Sequence, residues 1–153
     1  MVEQVTEKDL WNKAIQLLSR REYSRGELTQ KLGRMAEGLS IESVLGSLEE
    51  EGYLSDQRFT ESFIRMRIGQ GHGLIRIRFD LQRKGIANDL MQTVFEDMDI
   101  DWYELAVEQY RRKYSQPFSA GDYKERSKRM RFLSQRGFSM DEIQHAVASD
   151  HED

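Results

Sequence analysis

The feature that most constrains this chain is an eleven-residue pattern that occurs three times. "GLSIESVLGSL" begins at Gly38, "GIANDLMQTVF" at Gly85 and "GFSMDEIQHAV" at Gly137, 47 and then 52 residues apart. The second position is large and apolar (Leu39, Ile86, Phe138), the third small (Ser40, Ala87, Ser139) and the fifth acidic (Glu42, Asp89, Asp141). The seventh and eleventh are apolar: Val44 with Leu48, Met91 with Phe95, Ile143 with Val147. A mechanical reading accounts for every position. The glycine ends one helix in the left-handed conformation, and the apolar residue packs back onto the core. Ser40 and Ser139 cap the next helix, and the acid sits near its positive end. Ala87 has no side-chain acceptor, so Asn88 is expected to cap there instead. The apolar i, i+4 pair then faces inward.

Two further helical segments precede each glycine. In the first copy, "DLWNKAIQLLSRR" puts Leu10, Ala14, Leu17 and Leu18 on one face, and "SRGELTQKLGRM" starts at Ser24 with Glu27 at the capping-box spacing. In the second, Phe59, Phe63 and Met66 group together; in the third, Trp102, Leu105, Ala106 and Tyr110 do so, with Pro117 expected to stop that helix. The expected fold is therefore all-α, three tandem three-helix repeats stacked as an elongated, solenoid-like module. The repeats are expected at 8–54, 55–99 and 100–149, with a frayed tail at 150–153. Heavy charge (33%), 38% hydrophobic residues and a single proline suit amphipathic helices with broad solvated faces.

The stretch "GQGHGLIRIRFDLQRKG", Gly69 to Gly85, tests this scheme. Ile75, Ile77, Phe79 and Leu81 alternate with polar residues, which by itself suggests a strand. Yet the stretch occupies the repeat position of 24–35 and 122–136, and a helix brings Leu74, Ile77 and Leu81 together at i, i+3, i+7. The spacing predicts a helix. The glycines do not form a phosphate loop, because they come after a helical segment and no Lys-Ser/Thr pair succeeds them. They read as a tight helix–helix turn.

No catalytic constellation stands out. Without cysteine there is no thiol nucleophile, disulfide or thiolate metal site. His145, one turn after Asp141, has a metal-compatible spacing but no third ligand, so it reads as an exposed helical histidine. A metal-dependent enzyme around His145 would need a ligand set the sequence does not display. No cofactor, small-molecule substrate or catalytic residue is expected. No apolar run approaches ~18 residues, and the first residues lack the apolar core of a signal peptide, so a soluble cytoplasmic protein is expected.

Charge is distributed in blocks. Residues 55–85 carry net +4 and 111–136 net +7, separated by 86–110 at net −7 and succeeded by 137–153 at net −5, within a chain of net −4. A chain so patterned can offer a basic strip to an anionic partner without being basic overall. On 122–136, Lys124, Lys128 and Arg131 form an i, i+4, i+7 stripe, with Arg129 and Arg136 as a second line beside it. On 74–84, Arg76, Arg78, Arg83 and Lys84 surround the apolar face. These nine residues are the expected partner-binding set, suited to a nucleic-acid backbone or an acidic protein groove.

Motifs along most of the chain, "AIQLLSRREYSRGEL", "EEEGYLSDQRF", "GHGLIRIRFDLQRKGI", "DIDWYELA", "RRKY" and "RFLSQRGFSMDEI", occur in the order typical of the RecX family, which this sequence resembles from about Leu10 to Val147. It departs at Leu74, where the family commonly has proline, and at Phe79, where a polar residue is usual. The resemblance implies a curved protein of three tandem three-helix repeats. It also implies a regulator of the RecA recombinase that lies in the groove of RecA filaments and inhibits recombinase, ATPase and coprotease activities, with some affinity for DNA. The other reading of the residues is a helix-turn-helix-like DNA-binding regulator acting without RecA, since a three-helix unit can take that form.

Overall fold

The structure, a computed structural model, describes residues 4–151. Among them are nine α-helices and no strand. In order they are α1 (Glu7–Leu18), α2 (Arg25–Gly33), α3 (Ile41–Glu50), α4 (Asp56–Gly69), α5 (Leu74–Arg83), α6 (Asn88–Met98), α7 (Trp102–Lys113), α8 (Tyr123–Arg136) and α9 (Met140–Ala148). A 3-10 turn, Ser149–His151, comes last. The stretch that alternates like a strand is α5. Ile77 and Leu81 are fully buried, whereas Ile75 and Phe79 are each 56% exposed, as 100° per residue requires and 180° does not.

The chain forms two compact units. One combines the described residues up to Phe63 with Leu81–Val94; the other combines Ile64–Asp80 with the described residues from Phe95 on. The division falls within α4, α5 and α6 rather than between sequence copies. The final two residues of the expected frayed tail, 152 and 153, lie outside the described residues, but Asp150 sits in the 3-10 turn.

In the first unit, α1, α2 and α3 close around Leu10, Ala14, Leu28, Leu32, Leu45 and Leu48, all 0% exposed. Side chains cap each of these helices. Thr6 and Asp9 form a capping box on α1, Ser24 and Glu27 one on α2, and Ser40 accepts from the Ser43 amide on α3. Gly38 is left-handed as expected (φ +85°), but α2 already stops at Gly33, so an irregular segment at 34–39 separates the two. The first glycine is thus not the cap residue of its helix. In the second unit, α7, α8 and α9 enclose Ala106, Tyr110, Leu133 and Ala146. Asp101, Asp122 and Ser139 cap the three helices, Ser139 in a box with Glu142. Helix α7 ends at Lys113, before Pro117 is reached, and Met66 is half exposed rather than packed with Phe59 and Phe63. Asn88 is the first residue of α6, not its cap, and its Oδ1 accepts from Gln82.

Gly85 and Gly137 behave as the repeat predicts, at φ +83° and +100°. At each, two nested hydrogen bonds close the helix: Gly85 N to Gln82 O within Ile86 N to Leu81 O, and Gly137 N to Ser134 O within Phe138 N to Leu133 O. Ile86 and Phe138 are buried. Gly137 has a second duty. The amides of Gly73 and Ile75, at the start of α5, donate to Arg136 O (2.7 Å) and Gly137 O (3.0 Å) at the end of α8. The exposed carbonyls of one helix thereby satisfy orphan amides of another. The approach leaves no room for side chains: a Cβ on Gly137 would lie 2.7 Å from the Arg76 backbone nitrogen, and one on Gly73 would lie 2.6 Å from the Gly137 carbonyl. The first unit has a counterpart. There Ser24 donates to Lys84 O, and a Cβ on Gly26 would lie 2.8 Å from that oxygen.

Gly85→Ala meets open space and suffers only left-handed strain, so it is expected to cost about 1 kcal/mol in urea unfolding. Gly137→Ala adds the collision with Arg76 and is expected to cost a further ~1–3 kcal/mol. Equal losses at the two positions would show that the contact yields freely.

Candidate functional site

Helix α8 begins at its Asp122 cap and buries Leu133, which fixes its rotation. Lys124, Lys128 and Arg131 then fall on the solvent side, all exposed. None is paired with a carboxylate among the described residues. The expected stripe therefore exists as an open cationic face, free to exchange bound water and counterions for a partner's oxygens.

Arg129 does not belong to that face. Its residue is 6% exposed, with its guanidinium beneath the helix rather than above it. Nε donates to Glu125 at 2.9 Å, and Nη1 lies 2.9 Å from the Tyr110 hydroxyl, 2.9 Å from the Gln116 carbonyl and 3.1 Å from the Asp150 carboxylate. The Tyr114 and Phe118 rings stack against it at 4.5 and 4.8 Å. Tyr110 also donates to Asp150. Charge counting placed Arg129 with its neighbours. Helical rotation turns it inward, and two carboxylates with three rings offset the penalty of burying it. The same network holds Asp150 in place. Burial and the hydrogen bond to Asp150 push the Tyr110 phenol up to about 12, with Arg129 pulling the other way.

The cations of α5 are divided between the two units. Arg76 and Arg78 lie in the second and Arg83 and Lys84 in the first. Arg76 is exposed and reaches only the Gln135 carbonyl, at 3.4 Å. Arg78 is half-buried, 5.9 Å from the Phe95 ring. Arg83 is exposed. Lys84 is bound to Glu27 at 2.9 Å and so is already committed to the fold. Glu27, although burial works against its ionisation, is held below the usual carboxylate range by Arg21, Lys84 and the Ser24 amide. Arg136, half-buried, donates to the Gln70 carbonyl at 3.0 Å. Two exposed apolar side chains, Ile75 and Phe79, flank Arg76 and Arg78 on α5.

His145 is exposed and sits edge-on to Tyr103 at 5.4 Å. Among the described residues no group of three His, Cys, Asp or Glu side chains is placed to hold a metal ion. No helix there is long and apolar enough to cross a membrane. His72, in the glycine turn, is buried. Burial, then Arg76, Arg67 and Arg136, push its pKa below the ordinary value, with Asp80 opposing them. The sequence pattern did not single out two cations here, Arg112 and Lys113 in the last turn of α7. Their run with Arg111 is visible, but at a helix C-terminus it reads simply as complementing the dipole.

Arg129→Glu is expected to cost about 3–5 kcal/mol of stability, because it leaves Glu125 and Asp150 facing a third buried acid. Lys128→Glu and Arg131→Glu, being exposed, should stay within ~0.5 kcal/mol of the parent in the same urea titration. The raised Tyr110 pKa stabilises the folded state fully below about pH 10, and that contribution is lost as pH rises towards 12. Unfolding free energies measured from pH 9 to 12 should therefore fall, and Tyr110→Phe should flatten that fall.

Three protein-family models match the chain in succession: the first three-helix domain of RecX at residues 11–48, the second at 55–94 and the third at 99–147. Regulatory protein RecX of Chromohalobacter salexigens is 39% identical over 136 residues, covering 88% of each chain. That of Halorhodospira halophila is 38% identical over 141 residues, 92% of this chain and 87% of its own. That of Pseudomonas tolaasii is 43% identical over 136 residues, 88% of this chain and 87% of its own. Among solved structures, RecX from Lactobacillus salivarius superposes with a TM-score of 0.77 at 21% identity, over 95% of this chain and 96% of that one. Another RecX crystal structure gives 0.71 at 20%, over 90% and 71%. The three successive domain matches, together with relatives near 40% identity over most of the chain, show that this protein belongs to the RecX family of regulatory proteins.

Proposed function

We propose that this protein is a non-enzymatic cytoplasmic regulator that binds RecA–DNA filaments and inhibits RecA's recombinase, ATPase and coprotease activities. Membership of the RecX family carries this reading. The residues support it through the α8 face, where Lys124, Lys128 and Arg131 stand exposed and unpaired with carboxylates among the described residues. A filament of protein and nucleic acid presents repeated anionic oxygens, and a row of cations one helical turn apart matches such a surface without any reacting group. On α5, exposed Arg76 and the exposed pair Ile75 and Phe79 would add an apolar contact beside charge. Arg78, Arg83 and Arg136 remain in the proposed contact set. Arg129 and Lys84 do not, since the fold consumes them.

Purified protein is expected to suppress single-stranded-DNA-dependent ATP hydrolysis by RecA at substoichiometric to equimolar ratios. An unchanged rate at saturating protein would overturn the proposal. The double variant Lys128→Glu, Arg131→Glu should need about tenfold more protein for half-inhibition, a loss near 1.4 kcal/mol, while melting like the parent.

A further inference from the structure

Half-buried or buried cations of this chain are mostly held by carboxylates: Arg25 by Glu42 and Glu49, Arg67 by Asp80, Lys84 by Glu27, and Arg129 by Glu125 and Asp150. Half-buried Arg136, in the second unit, is not. It stands at the Gly69–Gly73 turn with three exposed cations, Arg76, Arg112 and Lys113, and none of the four is bonded to a carboxylate among the described residues. Arg76 and Arg136 reach only main-chain carbonyls. Asp80, an acid that acts on this turn, is paired with Arg67 at 3.8 Å. His72 is buried at this turn with no hydrogen-bond partner on Nδ1, and burial first, then Arg76, Arg67 and Arg136, hold its pKa below the ordinary value.

Three of these cations line a groove of about 340 Å³ with Gln70, Gln109 and Phe132. Lys113 and Arg136 flank the Phe132 ring at 5.7 and 5.1 Å from its centre. Arg67 donates to the Gln70 side-chain oxygen at 3.2 Å, which leaves the amide N–H₂ of Gln70 as a donor. Among the described residues no carboxylate lines the groove. The positions are fixed by the close packing of the turn: Gly71 is left-handed at φ +86°, and a Cβ there would overlap the Gln109 carboxamide.

We propose that this groove is a phosphoryl-binding site, in which Arg112, Lys113 and Arg136 hold a phosphate group. Donors come from α7, α8 and the turn. A tetrahedral phosphoryl group, with three or more oxygens and up to two charges, offers each of them an acceptor and matches three cations better than a singly charged carboxylate does. The inference rests on the unpaired cations of this turn and not on the filament reading.

The test is titration of the full chain with pyrophosphate at constant ionic strength, following the arginine Nε–Hε resonances by NMR. Saturable shifts of Arg112 and Arg136 are expected. Arg112→Ala with Lys113→Ala, both exposed positions, should weaken binding about tenfold or more, while Lys31→Ala on α2 leaves it unchanged. A parallel titration with a six-residue oligothymidylate distinguishes the source. Binding by the oligonucleotide alone assigns the groove to a phosphodiester backbone, and binding by pyrophosphate alone to a free phosphate. Shifts with neither ligand, shifts that persist in the double variant, or preference for a hexaglutamate peptide would each overturn the proposal.

Discussion

The structure depends on how the middle helix of one repeat begins against the end of the middle helix in the next. At the start of α5, the amides of Gly73 and Ile75 donate to the last carbonyls of α8. Around Ser24 and Gly26, the start of α2 meets the Lys84 carbonyl at the end of α5, there through the Ser24 hydroxyl rather than a main-chain amide. Such contacts demand backbone-to-backbone approach, and glycine alone allows it. They satisfy polar groups that would otherwise be buried without partners. They also account for compact units that cut through the second sequence copy. The first residues of α5 are bonded to the end of α8, and the residue after its last turn to the start of α2.

Electrostatics obey the same geometry. Each helix turns about a third of its side chains inward, and a cation caught on that side must find a counterion or be lost from the charge available to partners. Arg129 and Lys84 found theirs in Glu125, Asp150 and Glu27. Lys124, Lys128 and Arg131, a few residues from Arg129 along the same helix, did not need one. The chain's overall acidity is therefore compatible with cationic faces, because its acids are used as caps and internal partners. Asp9, Glu27 and Glu142 close capping boxes, and Asp101 and Asp122 cap their helices.

Much of this was legible from residue patterns because the pattern was repeated. The buried pairs Val44 and Leu48, Met91 and Phe95, and Ile143 and Val147 all proved to be core. The helical reading of α5 came from its place in the repeat, since its own alternation pointed to a strand. Errors arose where the copies differ. The segment after Gly33 has no equivalent before Gly85 or Gly137, so Gly38 was assigned to a helix end it does not occupy. Asn88 entered its helix because Ala87 leaves the cap to the main chain, where Met91 N bonds to Ala87 O. The charge stripe was legible in spacing, but Arg129 shows that spacing marks a line along a helix and not which side of it is wet.

By itself the sequence determined the helical character of the chain, the caps at Ser24, Ser40 and Ser139, the left-handed glycines and most of the apolar stripes, because these depend on interactions within a few residues. Tertiary structure decided which charges remain available. Arg129 was withdrawn from the surface by Asp150, 21 residues away, and Lys84 by Glu27, 57 residues away. Arg112, Lys113 and Arg136 were brought to one groove from separate helices. Attraction between charges falls with distance in space and takes no account of distance along the chain, so pairing of this kind is settled only when the helices have packed.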